Sequence, residues 1–243
     1  MDKKNTYQKV ASYEVKDDAV DKVLLLYSGG LDTSVMLKWM QDHYGAKITT
    51  LTLDIGQQKD DLEAIRKKAL KLGAEEAIVL DVKKEFADDF ISKGIKANAA
   101  YQGEYHLSTP IGRAITAKKG VEIAHKRGIT CIAHGCTGKG NDQVRFDGYV
   151  LALDGNMKII APVREWNMDR DVEIAYALKH NIPVPVKKDF PYSVDDNMWG
   201  MTWEGGEVEN PASIPQVKRF LTTYTRPENA PAKAQIIKIQ FKN

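Results

Sequence analysis

Two kinds of hydrophobic run alternate along the chain. Short continuous apolar runs predict buried strands, and runs that repeat every three to four residues predict helices. Val23-Leu24-Leu25-Leu26-Tyr27 is of the first kind, and Leu31, Val35, Met36, Trp39 and Met40 are of the second. Further strands are predicted at Ala46–Asp54, Ala77–Val82, Ile129–Ala133 and Met157–Ala161. Helices are predicted at Asp60–Leu72, Glu85–Ala97, Ile111–Lys126 and Asp169–His180, with Gly73 and Gly128 as stops. Tyr101–Pro110 is polar and aromatic and reads as a functional loop. Strands alternating with helices imply an α/β fold, an open parallel sheet with helices on both faces. In such sheets ligands gather at the carboxyl ends of the strands. The three richest loops, after Tyr27, Asp54 and Ala133, all sit there.

Past Val186 the helical period is lost. Prolines, glycines and tryptophans crowd Lys187–Pro215, and Thr222–Lys233 is linker-like. Ala234–Phe241 reads as one strand, which cannot form a domain alone. The organisation expected is an N-terminal extension at 1–22, a nucleotide-binding domain at 23–186 and a partial second domain at 187–243.

The loop after the first strand reads Ser28-Gly29-Gly30-Leu31-Asp32-Thr33-Ser34. Two glycines allow a sharp turn and a close approach to a ligand. The residues after them open a helix, whose free N–H groups and dipole favour an anion. The pattern is a phosphate cradle, but not the Walker one, because no lysine follows the glycines. Asp32 suits a bound metal. His134-Gly-Cys-Thr-Gly-Lys-Gly-Asn-Asp-Gln-Val-Arg-Phe146, after the fourth strand, again combines glycines with varied donors and acceptors and reads as a second ligand loop.

Tyr27–Ser34 resembles the pyrophosphate loop of ATP pyrophosphatases that cleave between the α and β phosphates. With His134–Phe146, Lys96–Tyr105, Ile160–Trp166, Pro191–Asn197 and Trp203–Gly206, the chain resembles the argininosuccinate synthase family from about Lys22 to about Phe241. The resemblance implies an adenine nucleotide α-hydrolase-like fold. It implies ATP on Leu26, Tyr27, Ser28, Gly29, Gly30, Leu31, Asp32, Thr33, Ser34, Leu53 and Gly135. Aspartate would lie on Thr137, Asn141 and Asp142, and citrulline on Tyr105, Asn141, Arg145, Ser193 and Thr202. Asp32, Arg113 and Asp142 are the candidates for catalysis, Arg113 toward the transferring phosphoryl group. The implied reaction joins citrulline to aspartate through citrullyl-AMP, releasing pyrophosphate and then AMP, with Mg²⁺ offsetting phosphate charge. An Arg145 or Lys139 paired with Asp142 suits a dianion bearing an ammonium, and Asn and Ser suit a neutral ureido group.

The chain departs from that pattern at several positions. Pro110 stands where the family has a citrulline-contacting Ser, Ser108 and Gly112 replace the usual Gly and Ala, and Val163 replaces a Trp. The family's further citrulline contacts, a Glu and a Tyr, are expected beyond Asn243. A short paralogue that adenylates another substrate and an ATP-binding module without turnover are therefore the alternatives.

Composition narrows the picture further. With 243 residues, 43% hydrophobic and 28% charged, the chain is ordinary for a globular protein. A net charge of +2 supplies no field for nucleic acid or membrane; the resemblance implies small-molecule substrates and a second copy of the chain as partners. Met1–Lys22 is polar and lacks the apolar core of a signal peptide; it reads as a poorly ordered lead-in or a short edge element. Two cysteines, Cys131 and Cys136, fit a reducing, cytoplasmic setting, Cys131 as core packing. The histidines show no metal-ligand spacing. Trp199 and Trp203 read as packing beneath the glycine turns.

Overall fold

The computed structural model describes residues 9–16, 19–58, 61–138, 140–166, 168, 170–183, 192–214 and 227–241. Lys139, Pro191 and the expected helix starts at Asp60 and Asp169 lie outside them. The chain divides into two compact units, Met1–Lys188 with Asp195–Thr202, and Asp189–Val194 with Trp203–Asn243.

In the first unit, β1 (Lys22–Leu26), β2 (Lys47–Asp54), β3 (Glu76–Asp81), β4 (Cys131–Ala133) and β5 (Lys158–Ile160) form one parallel sheet in the order β3-β2-β1-β4-β5. The order reverses at β1, which has β2 on one side and β4 on the other. The crevice of such a sheet lies there, at the carboxyl ends of β1 and β4.

Alternation along the strands assigns each side chain to a face. Val23, Leu25 and Tyr27 face the layer of α1 (Leu31–Tyr44) and α2 (Leu62–Lys71), with Val35, Met36, Met40 and Ala69 packed on them. α7 (Pro162–Glu165) and α8 (Arg170–Lys179) complete that layer. Leu24 and Leu26 face the other layer, with Leu51, Leu53 and Ile132. α5 (Ser108–Arg127) and α6 (Asn141–Leu153) cover them with Ile115, Ala117, Phe146 and Val150. A helical arm, α3 (Lys83–Glu85) and α4 (Ser92–Lys96) around a π-helical stretch Phe86–Ile91, adds Phe86 and Ile91. Every residue from Val23 to Tyr27 is buried, as a strand covered on both faces requires.

The structure differs from expectation in four places. α5 starts at Ser108, so the loop ends before Pro110, the third residue of the helix. A helix's first four N–H groups have no partner inside it, so proline breaks no ladder bond there. Asn141–Leu153, expected to begin as a loop, is a helix. Tyr192–Asn197 (β6) and Gly200–Gly205 (β7), where no element was expected, form a two-stranded antiparallel sheet. Ala234–Phe241 is not a strand, and Ile236, Ile237, Ile239 and Phe241 are exposed: among the described residues it has no ladder to join.

The N-terminal segment extends the β5 edge. Glu14 bridges Ile159 in parallel, and the Tyr13 carbonyl accepts from the Ile159 amide at 2.9 Å. Lys9 pairs with Glu165 at 3.2 Å.

Leu25 sits fully buried in the central strand. Leu25→Ala should lower unfolding free energy by about 2–5 kcal/mol in urea denaturation. A loss below about 1 kcal/mol would contradict the central placement of β1.

Candidate active site

The turn between β1 and α1 is held from below. The Tyr27 hydroxyl donates to Ser34 Oγ at 3.0 Å, and Ser34 donates to the Gly30 carbonyl at 2.6 Å. Thr52 of β2 donates to the Tyr27 carbonyl at 2.8 Å. Ser34 and Thr33 are buried, so both serve the turn from inside, whereas Ser28, Gly30 and Asp32 face solvent. Gly30 caps α1 in an extended conformation with no side-chain cap. The first amides of α1 are thus left for solvent or an anion.

Gly29 has φ +78°, and a Cβ there would lie 2.8 Å from Ile65 Cγ1 of α2. Only glycine meets both conditions. Across the crevice, a Cβ on Gly135 would lie 3.1 Å from Met36 Sδ and 3.6 Å from Thr33 Cγ2. The loop after β4 therefore lies directly on the start of α1. That loop runs into α6, whose cap, Gly140, is extended and also lacks a side-chain cap. Two helices with uncapped starts thus follow the two strands of the switch point, and Gly135 brings the approach to the second against the first.

His134 anchors the second loop. Its Nδ1 accepts from the Cys136 amide at 3.3 Å, so Nε2 carries the proton and donates to Asp147 at 2.8 Å. Arg164 also pairs with Asp147, at 3.2 Å. Burial works against the Asp147 carboxylate, but His134 and Arg164 outweigh it and hold its carboxyl below the usual range.

Comparison with known proteins decides the family. Residues 22–183 match the model of the arginosuccinate synthase N-terminal HUP domain. The chain is 48% identical over 223 residues to an argininosuccinate synthase of Brevibacillus brevis, covering 92% of this chain and 53% of that one. It is 50% identical over 222 residues to an argininosuccinate synthase of Streptococcus thermophilus, covering 91% and 55%. It is 47% identical over 224 residues to that of Symbiobacterium thermophilum, covering 92% and 56%. The chain belongs to the argininosuccinate synthase family. It spans about half the length of the curated relatives it matches.

The residues that the family resemblance singled out fall into three groups. Leu26 and Leu53 are core side chains, so they can meet a ligand only through main-chain atoms. Ser28, Gly29, Gly30, Leu31, Asp32, Thr33, Ser34 and Gly135 gather at the crevice. A second cluster runs along α5. Thr109 takes its amide to the Tyr105 hydroxyl at 3.1 Å and shares a 2.9 Å hydrogen bond with Thr202. One turn on, Arg113 donates to Asp142 at 2.9 Å and to Asp195 at 2.6 Å. Arg145 donates to the other oxygen of Asp142 at 2.6 Å. Asn141 and Thr137 are exposed beside this network. Ser193 belongs to the second unit and is exposed.

Arg113 is already engaged by two carboxylates, and it also lies over the Phe146 ring at 5.9 Å. Burial opposes its charge, but Asp195 and Asp142 prevail and raise its pKa further. Burial likewise opposes the Asp142 charge, and Arg113 and Arg145 hold its carboxyl below the usual range. Arg113 is thereby held in place between Asp142 and Asp195.

Trp199 packs against the core layer that holds Leu24, Leu26 and Phe86, as expected of a packing residue. Its Nε1 donates to the His106 carbonyl at 2.6 Å, which clips the Tyr101–Leu107 loop. Trp203 packs edge-on to Tyr192 in the second unit. Asp195 and Lys68, whose Nζ donates to the Gly29 carbonyl at 2.8 Å, were not legible as site residues. Asp195 lies in the Pro191–Asn197 segment and Lys68 in no motif; each reaches the site through the fold.

Both cysteines are poor nucleophiles. Burial pushes Cys131 up to about 12. Burial, then Asp142, pushes Cys136 up to about 12. Alkylation of either thiol by iodoacetamide, followed by mass spectrometry, should be slow at pH 8 and rise toward pH 12. Half-maximal modification near pH 8.5 would contradict this environment.

Proposed function

We propose that the chain carries the nucleotide half of an ATP-dependent carbon–nitrogen ligase of the argininosuccinate synthase type. The observation that supports it most is the uncapped start of α1 after the glycine turn at the switch point, with Gly135 of the loop after β4 close to Thr33 and Met36. Main-chain amides of Gly29–Thr33 receive the inner phosphates of ATP, and the main chain of Leu26, Leu53 and Gly135 borders the nucleoside.

The substrates follow the polar network. Thr137, Asn141 and Asp142 take aspartate, Asp142 receiving the ammonium. Tyr105, Asn141, Arg145 and Thr202 take citrulline. Its ureido oxygen attacks the α-phosphorus and pyrophosphate leaves. The aspartate amine then attacks the ureido carbon and AMP leaves. These groups work by positioning and electrostatics, with no covalent nucleophile, in keeping with the raised thiol pKa values.

Mg²⁺, when bound, neutralises phosphate charge. Among the described residues no cluster of three acidic, histidine or cysteine groups could hold it alone. Asp32, exposed at the turn, fits the single carboxylate that such an ion needs when it arrives on phosphates. Small molecules and further copies of this chain are the proposed partners, with neither nucleic acid nor membrane, and a cytoplasmic setting; no helix among the described residues is long and apolar enough to cross a membrane.

Pro110 favours a second reading. It cannot offer the hydroxyl found at that place in the family, and a site built on substrate hydrogen bonds discriminates strongly when one is missing. A shorter relative that adenylates another carbonyl or carboxylate would tolerate it.

Steady-state pyrophosphate release from ATP and Mg²⁺ should require both citrulline and aspartate. Release that ignores either amino acid would overturn the substrate assignment. Release only with another carbonyl or carboxylate would favour the paralogue, and tight ATP binding with no release would favour a binding module.

A further inference from the structure

The turn after β1 carries an acidic residue and no cation of its own. A helix start contributes only about half a positive charge. A triphosphate brings several negative charges, and phosphate-cradling loops elsewhere add a lysine. Here the fold brings one from another helix. Lys68 of α2 extends to the turn and donates to the Gly29 carbonyl at 2.8 Å.

Several features of Lys68 fit a phosphate ligand better than a surface charge. It is half-buried, and no carboxylate of the described residues pairs with it. An ammonium has three donors, and one carbonyl uses one. The helix that carries it is seated on the turn, because Ile65, one helical turn earlier, fills the space beside Gly29. The head group is therefore placed from a rigid element rather than from a mobile loop. Burial pulls its pKa below the usual lysine value, the mark of a charge that lacks a partner.

We propose that Lys68 is a further ligand-binding residue of this site, its ammonium taking the β and γ phosphates of ATP and the charge of the departing pyrophosphate. This rests on the nucleotide part of the proposed function and deepens it. The turn's amides receive the inner phosphate, and Lys68 supplies the cation that the motif lacks.

The test is calorimetry of the whole chain with Mg²⁺ and, in turn, ATP, pyrophosphate and AMP. Lys68→Met and Lys68→Gln, each checked by a thermal melt, should weaken ATP and pyrophosphate by roughly 10- to 100-fold, as a lost charged hydrogen bond does. AMP, which lacks the outer phosphates, should bind within about twofold of wild type. Lys68→Arg should restore most of the ATP affinity. Equal ATP affinity in both charge-removing variants would overturn the assignment. So would equal losses for ATP and AMP, which would mean that Lys68 only braces Gly29. A wild-type chain that takes up no ATP would overturn the nucleotide reading together with Lys68. Wild-type ATP binding without any AMP formation would overturn the ligase reading alone.

Discussion

At two places beside the first turn of α1 a glycine backbone lies so close to a neighbouring side chain that an added Cβ would crowd it. Gly29 lies against Ile65, and Gly135 against Met36 and Thr33. Both contacts follow from the strand order. β1 is flanked by β2 and β4, so the loops leaving β1 and β4 converge. Gly29 lets α2 seat on the turn after β1, and Gly135 lets the loop after β4 close on the first turn of α1. The amides of that turn then face the crevice with no side chain to cap them. Everything proposed about nucleotide binding depends on that vacancy for side chains.

The polar half of the site is organised differently. α5 acts as its spine: Thr109 joins Tyr105 to Thr202, and Arg113 joins Asp142 to Asp195. Asp142 is held by two guanidinium groups, one on each oxygen. Ion pairs of this kind are costly when half-satisfied, because the remaining charges stay desolvated. The network therefore sets the orientation of the start of α6. Asn141, the first residue of α6, is left exposed beside it. A rigid ion network on one side and a bare glycine backbone on the other give one crevice two chemically distinct walls.

The strands, the turn after β1 and the division into two helical layers were legible because apolar periodicity reports burial directly. Val23–Tyr27 is apolar throughout, and the structure covers both of its faces. α6 was hidden by its own glycine-rich approach, although Phe146 and Val150, four residues apart and both buried, carried its signal. The start of α5 was misread because Pro110 resembles a breaker, whereas in a first turn it breaks nothing. Arg113 with Asp195, 82 residues apart, and Lys68 with Gly29, 39 apart, could not be read locally. Ala234–Phe241 has a strand's composition, yet a strand exists only where a neighbour supplies hydrogen bonds. Periodicity predicts what is buried; it does not say which distant charge arrives at a given loop.

The most direct measurement is two-dimensional amide NMR of the chain titrated with Mg²⁺ and a non-hydrolysable ATP analogue cleavage-blocked between the α and β phosphates. The account predicts that the largest shifts fall together on Gly29–Thr33 and on the loop from Gly135 to Asn141, at one common saturation. Shifts that leave both loops unmoved, or that gather elsewhere on the sheet, would contradict it.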